Sequence, residues 1–395
     1  MRKKSTKERI RIVRLNQKLR KRKVHRCNLI KAKSRFISQR CRRLHQSIEY
    51  ARAEGKVDIQ KKDGRGKNKV IVILPEKMNF NKDYDTTAIY INIISEFVKI
   101  KQIAKRNYPR DIPELCGVNF DKLREISTSA ALVLTSEISN WEDSIRKKLK
   151  PDVSNWDENI LLQFEQLGFF DLFDNKPINN TEVNLLGGQE LPAGKSFVRY
   201  IKGVCGEKGH IRQLKEEIRG LVGEGINKWT FLHSGLDEAI TNVSHHAYPD
   251  GFEPRSPNKS WYLTGSYNKK TGELKIAFYD QGVGIPNTLP TSKIKEKLLD
   301  YLSVIDVADR KKDATLLKAA MEIQRTSTGK TDRGKGLHDL LEFIKQRESG
   351  HLSILSSRGL YKFTIDNGKE STKVETFLTP INGTLIIWNV TLEKI

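Results

Sequence analysis

Long apolar runs are missing from this sequence. No stretch approaches the roughly 18 consecutive apolar residues of a membrane span, and the N-terminus lacks the apolar core of a secretory signal. Cysteine is scarce as well. Cys27, Cys41, Cys116 and Cys205 lie far apart with no CxxC pair, which argues against a disulfide framework and fits a reducing compartment. Acidic residues are few where bases are dense: residues 1–69 hold 26 Lys and Arg against five Asp and Glu, so +21 of the formal +23 sits there. The same stretch has almost no aromatic residues, Phe36 and Tyr50 being the exceptions. The expectation is a soluble, cytoplasmic protein with no membrane partner, its near-neutral body carrying a basic arm. The arm's Lys content and length argue against an organellar transit peptide.

What is present divides the 395 residues into three parts. Residues 1–68 read as a basic arm, helical or disordered, with clusters such as Arg20 to Lys23. Such charge density attracts polyphosphate backbones without base reading, so nucleic acid is the partner expected for residues 1–69; a solvated tail without a partner is the plain alternative. His25, Cys27, Cys41 and His45 are zinc-capable types, but their spacing matches no recognised zinc module and reads as coincidence in a helical run.

The second part, residues 69–205, opens on KVIVIL (69–74), an apolar β-branched run of strand type. A helix is expected over 81–106, a strand at LCGVNF (115–120), and a helix whose face is Ala130, Leu134, Ile138, Trp141, Ile145 and Leu149. A further helix from Asp157 to Leu167 stops at Gly168, a natural C-cap, before strand SFVRYI (196–201). The order is β-α-β-α-α-β. On VNFDKLREISTSAALVL (118–134) this part resembles the STAS domain of anti-sigma-factor antagonists, where a strand ends in an Asp-Ser-Ser-Gly turn that opens a helix. Here that turn reads Ser127, Thr128, Ser129, Ala130, without the Asp and the Gly. The resemblance implies Ser129, or Thr128 beside it, as phosphoacceptor; helix capping is the simpler role of these hydroxyls. Gly188 and Gly194, ahead of Lys195 and Ser196, imitate a P-loop, but five residues separate the glycines where four are required.

The third part, residues 206–395, carries the sharpest pattern. A helix with Trp229, Leu236, Ile240 and Val243 on one face places Glu238 and Asn242 four apart, on one side. Strand LKIAFYD (274–280) ends in Asp280 and runs into Gly282, Gly284 and Ile285. A Ser/Thr/Gly-rich stretch at 325–337 precedes helix LHDLLEFIKQ (337–346), and strand patterns close the chain. EAITNVSHHAYPDG (238–251), DQGVGI (280–285), RGKGL (333–337) and NGT (382–384) resemble, in family order, the N, G1, G2 and G3 boxes of the GHKL ATPases. Asp332 stands where the third box often has a leading Gly. His246, Ala247 and Tyr248 are most similar to the box ending in anti-sigma Ser/Thr kinases.

The fold class expected is therefore α/β. The resemblance implies a Bergerat-type two-layer helix/sheet sandwich at the C-terminus, with the STAS-like domain and the arm before it. It also implies ATP and Mg²⁺ as cofactors. Asp280 would accept from the adenine amino group, with Thr384 beside it, and Gly282, Gly284 and Ile285 would approach the base. Asn242 would hold Mg²⁺, Glu238 would act as the base, and Gly334, Lys335, Gly336 and Leu337 would meet the phosphates at a helix start. His245 and His246 read as structural. No His followed by an acidic residue precedes this part on a two-helix pattern, and His210 and His233 are poor substitutes, so histidine kinase chemistry is not expected. The function expected is a regulatory ATPase or Ser/Thr protein kinase acting with a protein partner or substrate, the STAS-like segment serving as partner surface or as substrate in the same or a second molecule; oligomer formation is compatible with it. The alternative is a non-enzymatic, ATP-gated nucleic-acid-binding switch using the arm.

Overall fold

A computed structural model describes residues 32, 34–62, 68–105, 108–173, 194–205, 209–222, 229–252, 259–289, 295–326, 336–347 and 349–392. The fold is mixed α/β. Part of the expected arm belongs to the body. Residues 34–53 form helix α1, which buries Cys41, Ile48 and Ala51 along one stripe, and strand β1 (Asp58–Lys62) pairs antiparallel with β2 (Lys69–Ile73). A few apolar side chains at helical spacing suffice to dock a helix whose other faces are charged, and these were masked by the density of bases around them.

After β2 come β3 (Lys77–Met78) and α2 (Tyr84–Ala104), which leads to β4 (Glu114–Asn119), parallel to β2. β5 (Glu125–Ile126) pairs parallel with β3 and enters α3 (Thr128–Ser139). Ser127 caps α3, its hydroxyl accepting from Ala130 N–H at 3.2 Å. The single helix expected through Leu149 divides here into α3 and α4 (Asp143–Lys148), because Asn140 leaves the helix to accept from the Tyr262 hydroxyl at 2.8 Å and donate to Gln281. α5 (Glu158–Leu167) is capped by Asp157 and ends on Gly168 at φ 82°, as its sequence predicts.

The strand expected at 196–201 is two strands, β6 (Lys195–Phe197) and β7 (Ile201–Val204), both pairing antiparallel with β8 (Ser260–Asn268). Two helices intervene before β8, α6 (His210–Val222) and α7 (Trp229–Asn242), and β8 pairs in turn with β9 (Glu273–Asp280). Beyond β9 lie α8 (Ile285–Thr288), α9 (Lys295–Ser303), α10 (Asp313–Thr326) and α11 (Gly336–Lys345). The hairpin of β10 (Ser349–Asp366) and β11 (Lys369–Thr391) then completes a six-stranded sheet of order β10-β11-β9-β8-β6, with β7 beside β8. The sheet thus takes strands from both sides of the boundary expected at 205.

Alternation along its central strands explains the layers. Ile276, Phe278, Ile386 and Trp388 face a core with α6, α7, α10 and α11, whereas Ala277, Tyr279, Leu385 and Ile387 face a second core shared with α2 and α3. The Trp388 indole N–H donates to the Leu340 carbonyl at 2.9 Å, fixing α11 to the first face. The two layers expected at the C-terminus account for that face only; the middle segment covers the other. Among the described residues no helix is long and apolar enough to cross a membrane.

Candidate functional site

β9 ends at Asp280 between two neighbours set by register, Trp261 on β8 and Thr384 on β11. Asp280 is only 5% exposed, and Oδ1 accepts from the Gly282 N–H at 2.8 Å. Burial pushes its carboxyl up to about 7, against the pull of that N–H. The chain then passes through a space too narrow for side chains. A Cβ on Gly282 would overlap the backbone of Ala247, whose carbonyl accepts from Val283 N–H at 2.9 Å. Gly284 sits at φ 85° beside the hydroxyls of Ser356 and Ser357, and a Cβ on Gly383, at φ 88°, would overlap the Asp280 carbonyl.

Ser356 joins these pieces. It lies within 3.0 Å of the Thr384 hydroxyl and accepts from Ile285 N–H at 2.8 Å. Sequence reading missed it, although a hydroxyl after Leu352 and Ile354, where alternation calls for an apolar side chain, is a usable signal.

α7 supplies the acid and the amide. It buries Trp229, Leu232, Leu236, Ala239 and Ile240, leaving Glu238 and Asn242 half-buried. A π-helical segment, Val243–Ala247, continues α7 and delivers the Ala247 carbonyl to Val283. Tyr248 follows, its hydroxyl donating to the Ser260 carbonyl at 2.8 Å, while His245 and His246 are exposed. α11 packs against α7, so Gly336 and Leu337, the first two residues of α11, belong to a helix adjoining the one that bears Glu238. Gly334 and Lys335 lie outside the described residues, as do His25 and Cys27 of the zinc-type set. Cys41 is buried as a free thiol, and His45 lies 3.3 Å from Glu49. No group of three or more metal-ligating side chains occurs among the described residues.

The hydroxyl turn lies elsewhere, at the start of α3 on the opposite face of the sheet. Ser129 is 7% exposed, and Thr128 is buried with its hydroxyl 2.8 Å from that of Ser266. The far end of α3 reaches the strand end: Asn140 donates to Gln281, next to Asp280. Against models of known protein families and against curated proteins, the chain finds no match.

Proposed function

We propose that this protein is an ATP-binding regulatory protein of the GHKL type, hydrolysing ATP or transferring its γ-phosphate to a protein Ser or Thr. The observation that carries this reading is the convergence on Asp280. The segment after α7 touches Gly282 and Val283, Ser356 links Ile285 to Thr384, and Gly383 lies against Asp280 itself. Three of the four boxes thus meet around one enclosed carboxyl, and the helix that begins at the fourth packs beside α7. A mostly antiparallel sheet with helices on this face agrees with a Bergerat-type layout, and the parallel β2–β4 pair with its α2 crossover agrees with a STAS-like one.

The residues fit the group they would hold. One Asp280 oxygen is engaged by Gly282 N–H, leaving the other for an exocyclic amino donor such as the 6-amino group of adenine, where guanine has a carbonyl oxygen. Side-chain-free backbone at Gly282 and Gly284 lets the Ala247 backbone and the Ser356 and Ser357 hydroxyls close in around the Asp280 strand end. Asn242 would hold Mg²⁺ with a neutral oxygen, Glu238 would orient or deprotonate the nucleophile, and Gly334 to Leu337 would meet phosphates at the start of α11. Bound ATP with Mg²⁺ supplies the transferable phosphoryl group.

Ser129 and Thr128 are the acceptors that the STAS likeness offers. α3 is about 18 Å long from Thr128 to Asn140, so within this arrangement the hydroxyls are remote from Asp280. Transfer to them belongs to a second molecule and requires the turn to open. The charge of residues 1–69 favours a second reading, an ATP-gated switch on nucleic acid. Incubation with γ-labelled ATP separates these: free phosphate means hydrolysis, labelled protein means kinase, and bound but intact nucleotide means switch. Failure of Asp280→Asn to weaken ATP binding in a folded protein overturns the GHKL assignment.

A further inference from the structure

On the sheet face away from Asp280, a cavity of about 340 Å³ opens between Ala277 of β9, Ile387 of β11 and the first turn of α3. Its polar lining is mostly of donors. Lys195 and Lys275 enter from β6 and β9, Arg124 from the loop before β5, and Ser127 and Ser129 from the start of α3. α3 has no acidic residue in its first turn, and among the described residues the N–H groups of Thr128 and Ser129 have no partner. The positive end of this 12-residue helix therefore faces a cavity lined by three cations, Arg124, Lys195 and Lys275, and one carboxylate, Glu125.

Lys195 is the unusual member. Lys275 pairs with Glu273 at 2.8 Å, but among the described residues no carboxylate lies within ion-pair distance of Lys195, whose Nζ sits 4.6 Å from the centre of the Phe197 ring. Burial, aided by the charge of Lys275, holds its ammonium down to about 8; Glu273 and Glu125 oppose this from a distance. A half-buried cation without an ion-pair partner among the described residues carries a desolvation cost, and such groups concentrate where a ligand supplies the missing charge.

We propose that this cavity binds a small phosphorylated ligand, its phosphoryl oxygens held by Lys195, Lys275 and the first-turn N–H and hydroxyl groups of α3. A phosphoryl group rather than a carboxylate is indicated by the number of donors. Three cations, two helix N–H groups and the hydroxyl pair of Ser127 and Ser129, whose oxygens lie 3.2 Å apart, surround the space beside the single carboxylate of Glu125, still more donors than the two oxygens of a carboxylate engage. The site is independent of the nucleotide reading, being on the other face of the sheet.

Lys195 itself provides the test. Its acylation by an amine-reactive reagent, measured across pH on the full chain by peptide mass spectrometry, should show a midpoint near 8 without added anion. Inorganic phosphate at constant ionic strength should raise the midpoint by a unit or more, leaving about tenfold less reactive amine at neutral pH, because an anion favours the ammonium form. Acetate should not, and an equal shift with acetate would replace the phosphoryl assignment with a carboxylate one. Phosphate should also raise Tm in the wild type and not in Lys195→Met. An unmoved midpoint in folded protein, or an equal change at the exposed Lys69, overturns the proposal even if the variant fails to fold.

Discussion

A carboxyl enclosed like Asp280 opposes folding unless something uses it. Its folded pKa, near 7, exceeds the ordinary carboxylate value of 3.8. Between those values the folded protein keeps the proton while the unfolded chain has released it. Stability therefore falls as pH rises through that window and is level above it. The whole effect amounts to at most about 4 kcal/mol. Asp280→Asn has no such cost and keeps an oxygen for Gly282 N–H, but its amide can oppose an adenine amino group with a second donor. The variant should resist urea better than wild type at pH 8, match it near pH 4, and lose ATP in a nucleotide titration. Lower stability at pH 8 would show that the charge is compensated. Glu238→Ala is the complementary test of the proposed site. It should retain Mg-ATP with phosphate release or transfer reduced at least about 100-fold, within the range of general base catalysis; turnover at the wild-type rate removes Glu238 from the role of base.

Between residues and the whole stand the turns and helix ends that assemble the site. Gly383 combines positive φ with a carbonyl lying where its Cβ would be, so Gly383→Ala should destabilise the fold by about 1–3 kcal/mol and displace the Asp280 strand end. Denaturant midpoints would measure the first effect and nucleotide affinity the second; an alanine variant unchanged in both would mean that the β9–β11 end relaxes freely. Elements of this kind were legible where their cause is local. Ser127 and Asp157 announce caps, Gly168 announces a left-handed stop, and the alternation in LKIAFYD places Asp280 at a strand end. Glu238 and Asn242 follow from helical spacing alone. What escaped was caused from a distance. The apolar stripe through Trp141 and Ile145 hides the break after α3, since both flanking helices bury against the same core, and only Gln281 and Tyr262 explain why Asn140 turns away. Ser356 joins Ile285 to Thr384 across about 100 residues of sequence, a relation no local pattern encodes.

For the molecule as a whole, the sheet is the shared wall of two cores, so the arm, the middle segment and the C-terminal segment are less separable than composition suggests. The basic stretch shows this best. α1 contributes Cys41, Ile48 and Ala51 to the core shared with α2 and α3, and β1 gives β2 an antiparallel neighbour, so deleting residues 1–69 would remove structural elements along with charge. Deleting residues 1–31 is the cleaner experiment. That segment carries 14 Lys and Arg against one Asp or Glu, more than half of the formal +23, and every residue of the proposed nucleotide site lies beyond Leu236. If the arm docks on nucleic acid, binding by the full chain should weaken with salt at a log-log slope of about 0.9 per phosphate contact on duplex, with little sequence preference. The 1–31 deletion should lose that slope yet keep the wild-type Tm and ATP affinity, whereas the 1–69 deletion should melt at lower temperature. Equal nucleic-acid binding by the full chain and the 1–31 deletion at moderate salt would move the interaction to the exposed basic residues of α1, among them Arg35, Arg40 and Arg43, and mutating those three together would then decide it.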